Sequence, residues 1–148
     1  MKKRMERIFK ALITLLGFSA VSCFRAEYGC PHADYKMQGE VKSTENVKIP
    51  GVRVVLALDG DWTHPYGKDT VYTDTEGRFA KDLGTVFAWD ERAEIKFEDP
   101  DGEENGGKFK TKILSSDEYT IRQTASGDNK WYGGKFTITA NATLEKEN

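Results

Sequence analysis

Between Tyr35 and Phe79 the chain repeats one pattern, and that pattern leaves little choice of fold. Tyr35, Met37, Gly39 and Val41 alternate with Lys36, Gln38, Glu40 and Lys42, the two-residue period of a strand with one face on a core and the other in water. Thr44-Glu45-Asn46 supplies a polar turn and Pro50-Gly51 a second bend, after which Val52, Val54, Leu56 and Leu58 resume the alternation. Asp69 to Thr73 reads as a strand centred on Val71, and Asp74-Thr75-Glu76-Gly77 as a tight turn into Arg78-Phe79. Asp74 can accept hydrogen bonds from backbone amides there, and Gly77 permits a positive φ.

The rest of the chain continues in the same vein. Phe79 and Leu83 are expected to face inward, and Gly84 to Arg92, with Val86, Phe87 and Trp89, to cross between sheets with its aromatics packed. Ala93, Ile95 and Phe97 alternate with Glu94, Lys96 and Glu98, and Phe109, Thr111 and Ile113 with Lys108, Lys110 and Lys112, so the acidic stretch between them is the connection of a hairpin. Ser115 to Tyr132 is polar and without period, a long loop that touches the core through Tyr119 and Ile121. From Gly133-Gly134 a last strand carries Phe136, Ile138, Ala140, Ala142 and Leu144 inward. About seven strands and no amphipathic helix predict an all-β antiparallel β-sandwich over residues 35–148. Its expected core includes Val54, Leu56, Phe79, Ile95, Phe97, Phe109 and Phe136.

Ahead of that domain, Lys2, Lys3, Arg4, Arg7 and Lys10 precede an apolar run, Ala11 to Ser22, that ends in small residues. This is the charged and apolar layout of a helical secretory signal, residues 1–22. The run is too short to span a bilayer comfortably, which takes about 20 apolar residues. Ala20-Val21-Ser22-Cys23 resembles a bacterial lipobox, in which Cys23 is acylated and becomes the mature N-terminus. Ala20 stands where that motif usually carries Leu, so a plain signal peptide or an uncleaved anchor stays open. Residues 23–34, with Gly29 and Pro31 and no period, read as a tether. The expected location is the cell envelope, the outer membrane before the inner, with the face undecided.

Without the five basic residues and Glu6 of the leader, the chain carries 17 basic and 23 acidic groups, a net charge of −6. That balance excludes nucleic acid as an expected partner, because phosphate binding needs a basic face. The two cysteines, Cys23 and Cys30, are too few for a disulfide scaffold, and acylation of Cys23 would leave Cys30 a free thiol. The two histidines show no Ser-His-Asp or zinc-ligand spacing, and the cysteines for an iron–sulfur cluster are missing. No enzyme and no cofactor are expected.

Two stretches invite a function. Asp59 to Lys68 is a loop by its Gly and Pro content, yet it holds Trp62, His64 and Tyr66. Such residues contact a protein, peptide or glycan ligand, or they fold back to cap the sandwich; both readings use the same side chains. In the second, Asp99-Pro100-Asp101-Gly102-Glu103-Glu104-Asn105-Gly106-Gly107, Asp99, Asp101 and Asn105 crowd oxygen atoms into a loop, the chemistry of a weak calcium site. The loop lacks the spacing and terminal Glu of an EF-hand, and the alternative is that Asp99 and Asp101 fix the turn by bonding backbone amides.

Met37-Gln38-Gly39-Glu40-Val41, Ile49-Pro50-Gly51-Val52-Arg53-Val54 and Thr73-Asp74-Thr75-Glu76-Gly77-Arg78-Phe79, in this order, resemble the carboxypeptidase regulatory-like domain, which implies a transthyretin-like sandwich. Glu27-Tyr28-Gly29, Ala33-Asp34-Tyr35, the strand from Pro50 to Val54 and above all Asp99 to Phe109 resemble a narrower group, the radical-SAM-associated lipoprotein family of Bacteroidales. The resemblance implies an exported, lipid-anchored accessory partner of a radical-SAM system. Cargo modified by that enzyme, or a purely structural envelope lipoprotein, is the alternative. Phe24-Arg25-Ala26 departs from the acidic run that favours surface display in these bacteria.

Overall fold

β1 (His32–Ser43) is the strand on which the others assemble. The computed structural model describes residues 29–60, 62, 68–87, 89, 91–128 and 130–147, so the leader lies outside the described residues. Ala33, Tyr35, Met37, Val41 and Ser43 of β1 are buried while its even-numbered residues face away, as the alternation requires. The strand starts at His32, inside the stretch read as tether. Eight more strands follow among the described residues: β2 (Arg53–Ala57), β3 (Lys68–Tyr72), β4 (Arg78–Phe87), β5 (Glu94–Glu98), β6 (Lys112–Leu114), β7 (Thr120–Ser126), β8 (Tyr132–Thr139) and β9 (Ala142–Leu144).

They form two sheets, one in the order β4-β1-β8-β7 with β9 also on β1, the other β3-β2-β5-β6. Met37, Val41, Phe79, Ile138 and Leu144 of the first sheet and Val54, Leu56, Ile95, Phe97 and Leu114 of the second belong to one buried cluster. Phe79 and Phe97 meet across it edge to face, 5.9 Å between centroids. Every residue of the expected core is in or against this cluster, Phe136 at its margin.

Four further features depart from the sequence reading. The first sheet is mixed, because β1 pairs antiparallel with β4 but parallel with β8 and β9. Alternation is blind to strand direction, and a parallel pair needs a long crossover, here the whole chain between β1 and β8. Phe87 faces solvent, 66% exposed, and Val86 is buried instead. A bulge opposite Tyr35/Lys36 adds one residue to β4 and exchanges its inner and outer positions beyond Leu83. Ile113 is likewise turned out, 42% exposed, and Leu114 is buried, since Phe109 bridges Lys146 and β6 starts afresh at Lys112. Finally, Thr120–Ser126 is a strand, with all seven residues exposed. Neither face of β7 is dry, so its sequence carries no alternation to read.

The turns behave as their residues require. Asp74 Oδ1 accepts the N–H groups of Glu76 and Arg78 at 2.8 and 2.9 Å, and Gly77 has φ +67° with the Val41 carbonyl where a Cβ would stand. The Arg78 amide bond holds the Asp74 carboxyl below the usual carboxylate range. Buried Thr73 donates to the Ile49 carbonyl at 2.8 Å and accepts the Val52 N–H at 2.9 Å, stitching β3 to the bend before β2.

Because Phe79 lies between both sheets and is 4% exposed, Phe79→Ala should cost about 3–5 kcal/mol, a large part of a small domain's stability. Urea denaturation reads this directly, and a midpoint equal to that of the native chain would refute the packing described.

Candidate functional site

The two ends of the molecule differ in kind. At one end lie the short turns through Ser43–Val47, Asp74–Gly77 and Asp99–Gly107. At the other lie the N-terminal stretch at Gly29, the chain between β4 and β5, and the connection from β7 to β8. All three tryptophans, Trp62, Trp89 and Trp131, belong to this second end.

Of the three residues named in the loop, Trp62 is described. Its Nε1 donates to Glu94 Oε2 at 2.8 Å, and Lys96 Nζ stands 4.4 Å over its ring, a cation–π contact. Glu94 and Lys96 point away from the core, alternating with Ile95 and Phe97. Trp62 therefore lies on the outer face of β5 and does not plug the space between the sheets. His64, Tyr66 and Cys23 lie outside the described residues.

Trp89, expected to pack and found against the core, and Trp131, which was not singled out in the sequence, frame the more developed site. Trp89 stacks on Tyr35 at 4.8 Å, and Tyr35 on Phe136 at 5.2 Å, so three rings form one pile at the margin of the core. Trp131 is 40% exposed, its carbonyl accepts the His32 N–H at 2.9 Å, and its ring lies where a Cβ on Gly29 would stand. Between the two tryptophans is an open groove of about 290 Å³ lined by Pro31, His32, Tyr35, Phe136 and both indoles. This is near the lower limit of about 300–1,000 Å³ for ligand pockets. A larger opening of about 660 Å³ where β3 meets β4 is lined by Glu40, Tyr72, Asp74 and Arg78 and contains no stacked rings.

Beside the groove, the register sets Phe87, His32 and Tyr132 in a row across β4, β1 and β8, with centroid distances of 5.8 and 5.6 Å. His32 Nδ1 lies 3.0 Å from the Cys30 carbonyl, which can only accept, so Nδ1 carries a proton. Asp34 accepts the hydroxyls of Thr85 at 2.8 Å and Tyr132 at 2.9 Å; these bonds hold its carboxyl below the usual range. Cys30 is an exposed free thiol. The signal for this surface was present as Phe87-Ala88-Trp89 and Trp131-Tyr132, two aromatic pairs beside polar turns. What hid it was the bulge in β4, which turns Phe87 outward.

At the opposite end, the acidic loop is a built turn. Asp99 Oδ2 accepts the Phe109 N–H at 2.9 Å, Asn105 Nδ2 donates to Asp101 Oδ2, and Asn105 takes φ +52°. Asp101 Oδ1 is buried without a hydrogen-bond partner. Among the described residues no group of three or more His, Cys, Asp or Glu is arranged around a metal position. Burial pushes the Asp99 carboxyl up, and the neighbouring Asp101 carboxyl pushes it further. A carboxyl raised in the folded state contributes its stability below its unfolded pKa and loses it as pH rises through the folded value. Asp99→Asn keeps an acceptor for Phe109 and removes the repulsion from Asp101. Its melting temperature should exceed that of the native chain at pH 7, with the gain gone at about pH 3, below the ordinary Asp range. A variant less stable at pH 7 but equal to the native chain at pH 3 would mean that the charged bond to Phe109 outweighs the repulsion.

No protein-family model and no curated protein matches the chain by sequence. Among solved structures it is similar to the dioxygenase domain of a dioxygenase carbohydrate-binding protein fusion from the cellulolytic bacterium Streptomyces sp. SirexAA-E, with 14% identity over 84% of this chain and 86% of that one, TM-score 0.48. It is also similar to 3-chlorocatechol 1,2-dioxygenase from Rhodococcus opacus 1CP, with 12% identity, 82% of this chain, 62% of that chain and TM-score 0.49. A third is the major plantain pollen allergen, with 15% identity, 78% of this chain, 95% of that chain and TM-score 0.40. At such identities, with each TM-score below 0.5, these likenesses bear on neither the chemistry nor the partners of this chain.

Proposed function

We propose that the chain is a non-catalytic β-sandwich binding module of the cell envelope, exported and held to the membrane by a lipid on Cys23. Its aromatic end takes a protein, peptide or glycan ligand. The single observation that carries this reading is the gathering of exposed and half-exposed rings at one end, Trp89 and Trp131 lining the groove and Phe87 and Tyr132 flanking His32 beside it. Rings displayed at a domain end supply large apolar area at low entropic cost, and Trp and Tyr dominate binding energies for that reason. Six chain steps separate Cys23 from Gly29, at most about 20 Å, so an acylated Cys23 keeps this end near the bilayer. The resemblance of the Asp99–Phe109 motif supports a role as accessory partner of a radical-SAM system.

Cys23→Ala should shift the protein from the detergent phase to the aqueous phase, because the two or three acyl chains of a bacterial lipoprotein supply the stable anchorage that one chain does not. Retention in the detergent phase would locate the anchor elsewhere. On glycan and peptide arrays the acylated protein should find a ligand, and Trp131→Ala should weaken that binding about tenfold, about 1.4 kcal/mol. Arrays blank for both classes would overturn the binding role. An intact mass of the native protein beyond sequence plus lipid would make the chain the cargo of the modifying enzyme instead.

A weak calcium ion at Asp99, Asp101 and Asn105 is a secondary proposal, favoured by the partnerless Asp101 Oδ1. Excess calcium should then raise the melting temperature above that in chelator, and Asp101→Asn should remove the difference; equal melts would leave the loop a turn and nothing more.

A further inference from the structure

The edges of the two sheets are protected unequally. β6 is three residues long. β4 carries Arg78, Lys81 and Asp82 and the bulge before Gly84, and Lys81 Nζ reaches Asp69 Oδ1 of β3 at 3.7 Å, tying those two edges together. Short strands, charges and bulges are the usual means of keeping an edge from pairing with another chain. β7 has little of this. It hydrogen-bonds to β8 on one side and to no other strand among the described residues. Its sequence, Thr120-Ile121-Arg122-Gln123-Thr124-Ala125-Ser126, contains no Pro, no Lys and a single charge, and all seven residues are exposed. Its one irregularity lies between Gln123 and Ala125, leaving Thr120 to Gln123 regular.

The register on β8 adds a direction. Ile121 stands opposite Ile138, which is fully buried, so Ile121 shares the core-facing side yet remains 39% exposed at the rim. We infer that β7 is a self-association edge, where a second copy of this chain adds its own β7 antiparallel about a two-fold axis at Ile121. In that register Ile121 meets the partner's Ile121 on the core side and extends the Ile138–Ile121 row across the junction. Arg122 falls opposite Thr120 of the other copy. Centring one residue later would oppose Arg122 to itself, and like charges directly opposite are destabilising. The register at Ile121 avoids this and also keeps the bulge outside the paired segment. A symmetric pair through one self-complementary patch is the commonest closed assembly of soluble proteins. Two four-strand paths would join into one continuous sheet, satisfying the amides and carbonyls that the free edge leaves to water.

Opposed residues of an antiparallel pair have Cα atoms about 4.5–5.5 Å apart, within reach of a disulfide. The test is made on the acylated full-length protein in its membrane, in a Cys30→Ser background. Ile121→Cys, Arg122→Cys and Ser126→Cys are oxidised in parallel, all three at positions exposed in the single copy. Most of the Ile121→Cys protein should become a disulfide-linked dimer, while the other two remain monomeric. No dimer at position 121, or equal yields at all three, would overturn the proposal, the second outcome being random collision. An Ile121→Lys substitution should abolish chemically cross-linked dimer of the otherwise native chain; cross-linking as strong as in the native chain would overturn it as well.

Discussion

The hydrogen-bonding of β1 along its length is the constraint on which the remaining structure depends. β4 occupies one side of it, and β8 and then β9 share the other. The handover from β8 to β9 occurs at Ala140–Asn141, opposite Gly39 and Glu40. Ala140 donates its N–H to the Gln38 carbonyl at 2.9 Å, and Asn141 Oδ1 accepts the Glu40 N–H at 3.0 Å, so β1 loses no partner at the break. The Ala140 carbonyl lies 1.7 Å from where a Cβ on residue 39 would stand. Only glycine admits that approach, and without it the parallel pair could not continue past the middle of β1.

From that frame the two ends acquire their characters. The tight-turn end is held by side chains that answer backbone amides: Ser43 Oγ accepts from Glu45 and Val47, Asp74 from Glu76 and Arg78, Asp99 from Phe109. These bonds leave little polar backbone unsatisfied. The other end is closed by rings. Tyr119 donates its hydroxyl to the Ala93 carbonyl at 2.9 Å, Trp89 lies on Tyr35, and Trp131 lies on Gly29. Aromatic surfaces in that position seal the core on one side and remain available on the other, which is why the groove forms here.

Much of the core was legible from residue order alone. Alternation placed Tyr35, Met37, Val54, Leu56, Ile95, Phe97, Ile138 and Leu144 inward, and all are buried. It worked because each of these strands has one dry face, and the two-residue period is a direct consequence of strand geometry. The turn at Asp74–Gly77 was equally legible, since its chemistry is local. Of the candidate ligand residues read from the sequence, Trp62 lies against Glu94 and Lys96 of β5 and does not line the groove between Trp89 and Trp131.

What residue order determined about this protein is therefore the set of strands with a dry face, their inner residues and their local turns. Tertiary structure decided the rest, because the deciding interactions join residues far apart in the chain. The parallel course of β8 and β9 beside β1 comes from hydrogen bonds between residues about a hundred positions apart. The outward aspect of Phe87 comes from one extra residue in β4 opposite β1, and that of Ile113 from the Phe109–Lys146 bridge. β7 exists because β8 offers it an edge; no face of it is buried, so no pattern in its own residues could announce it.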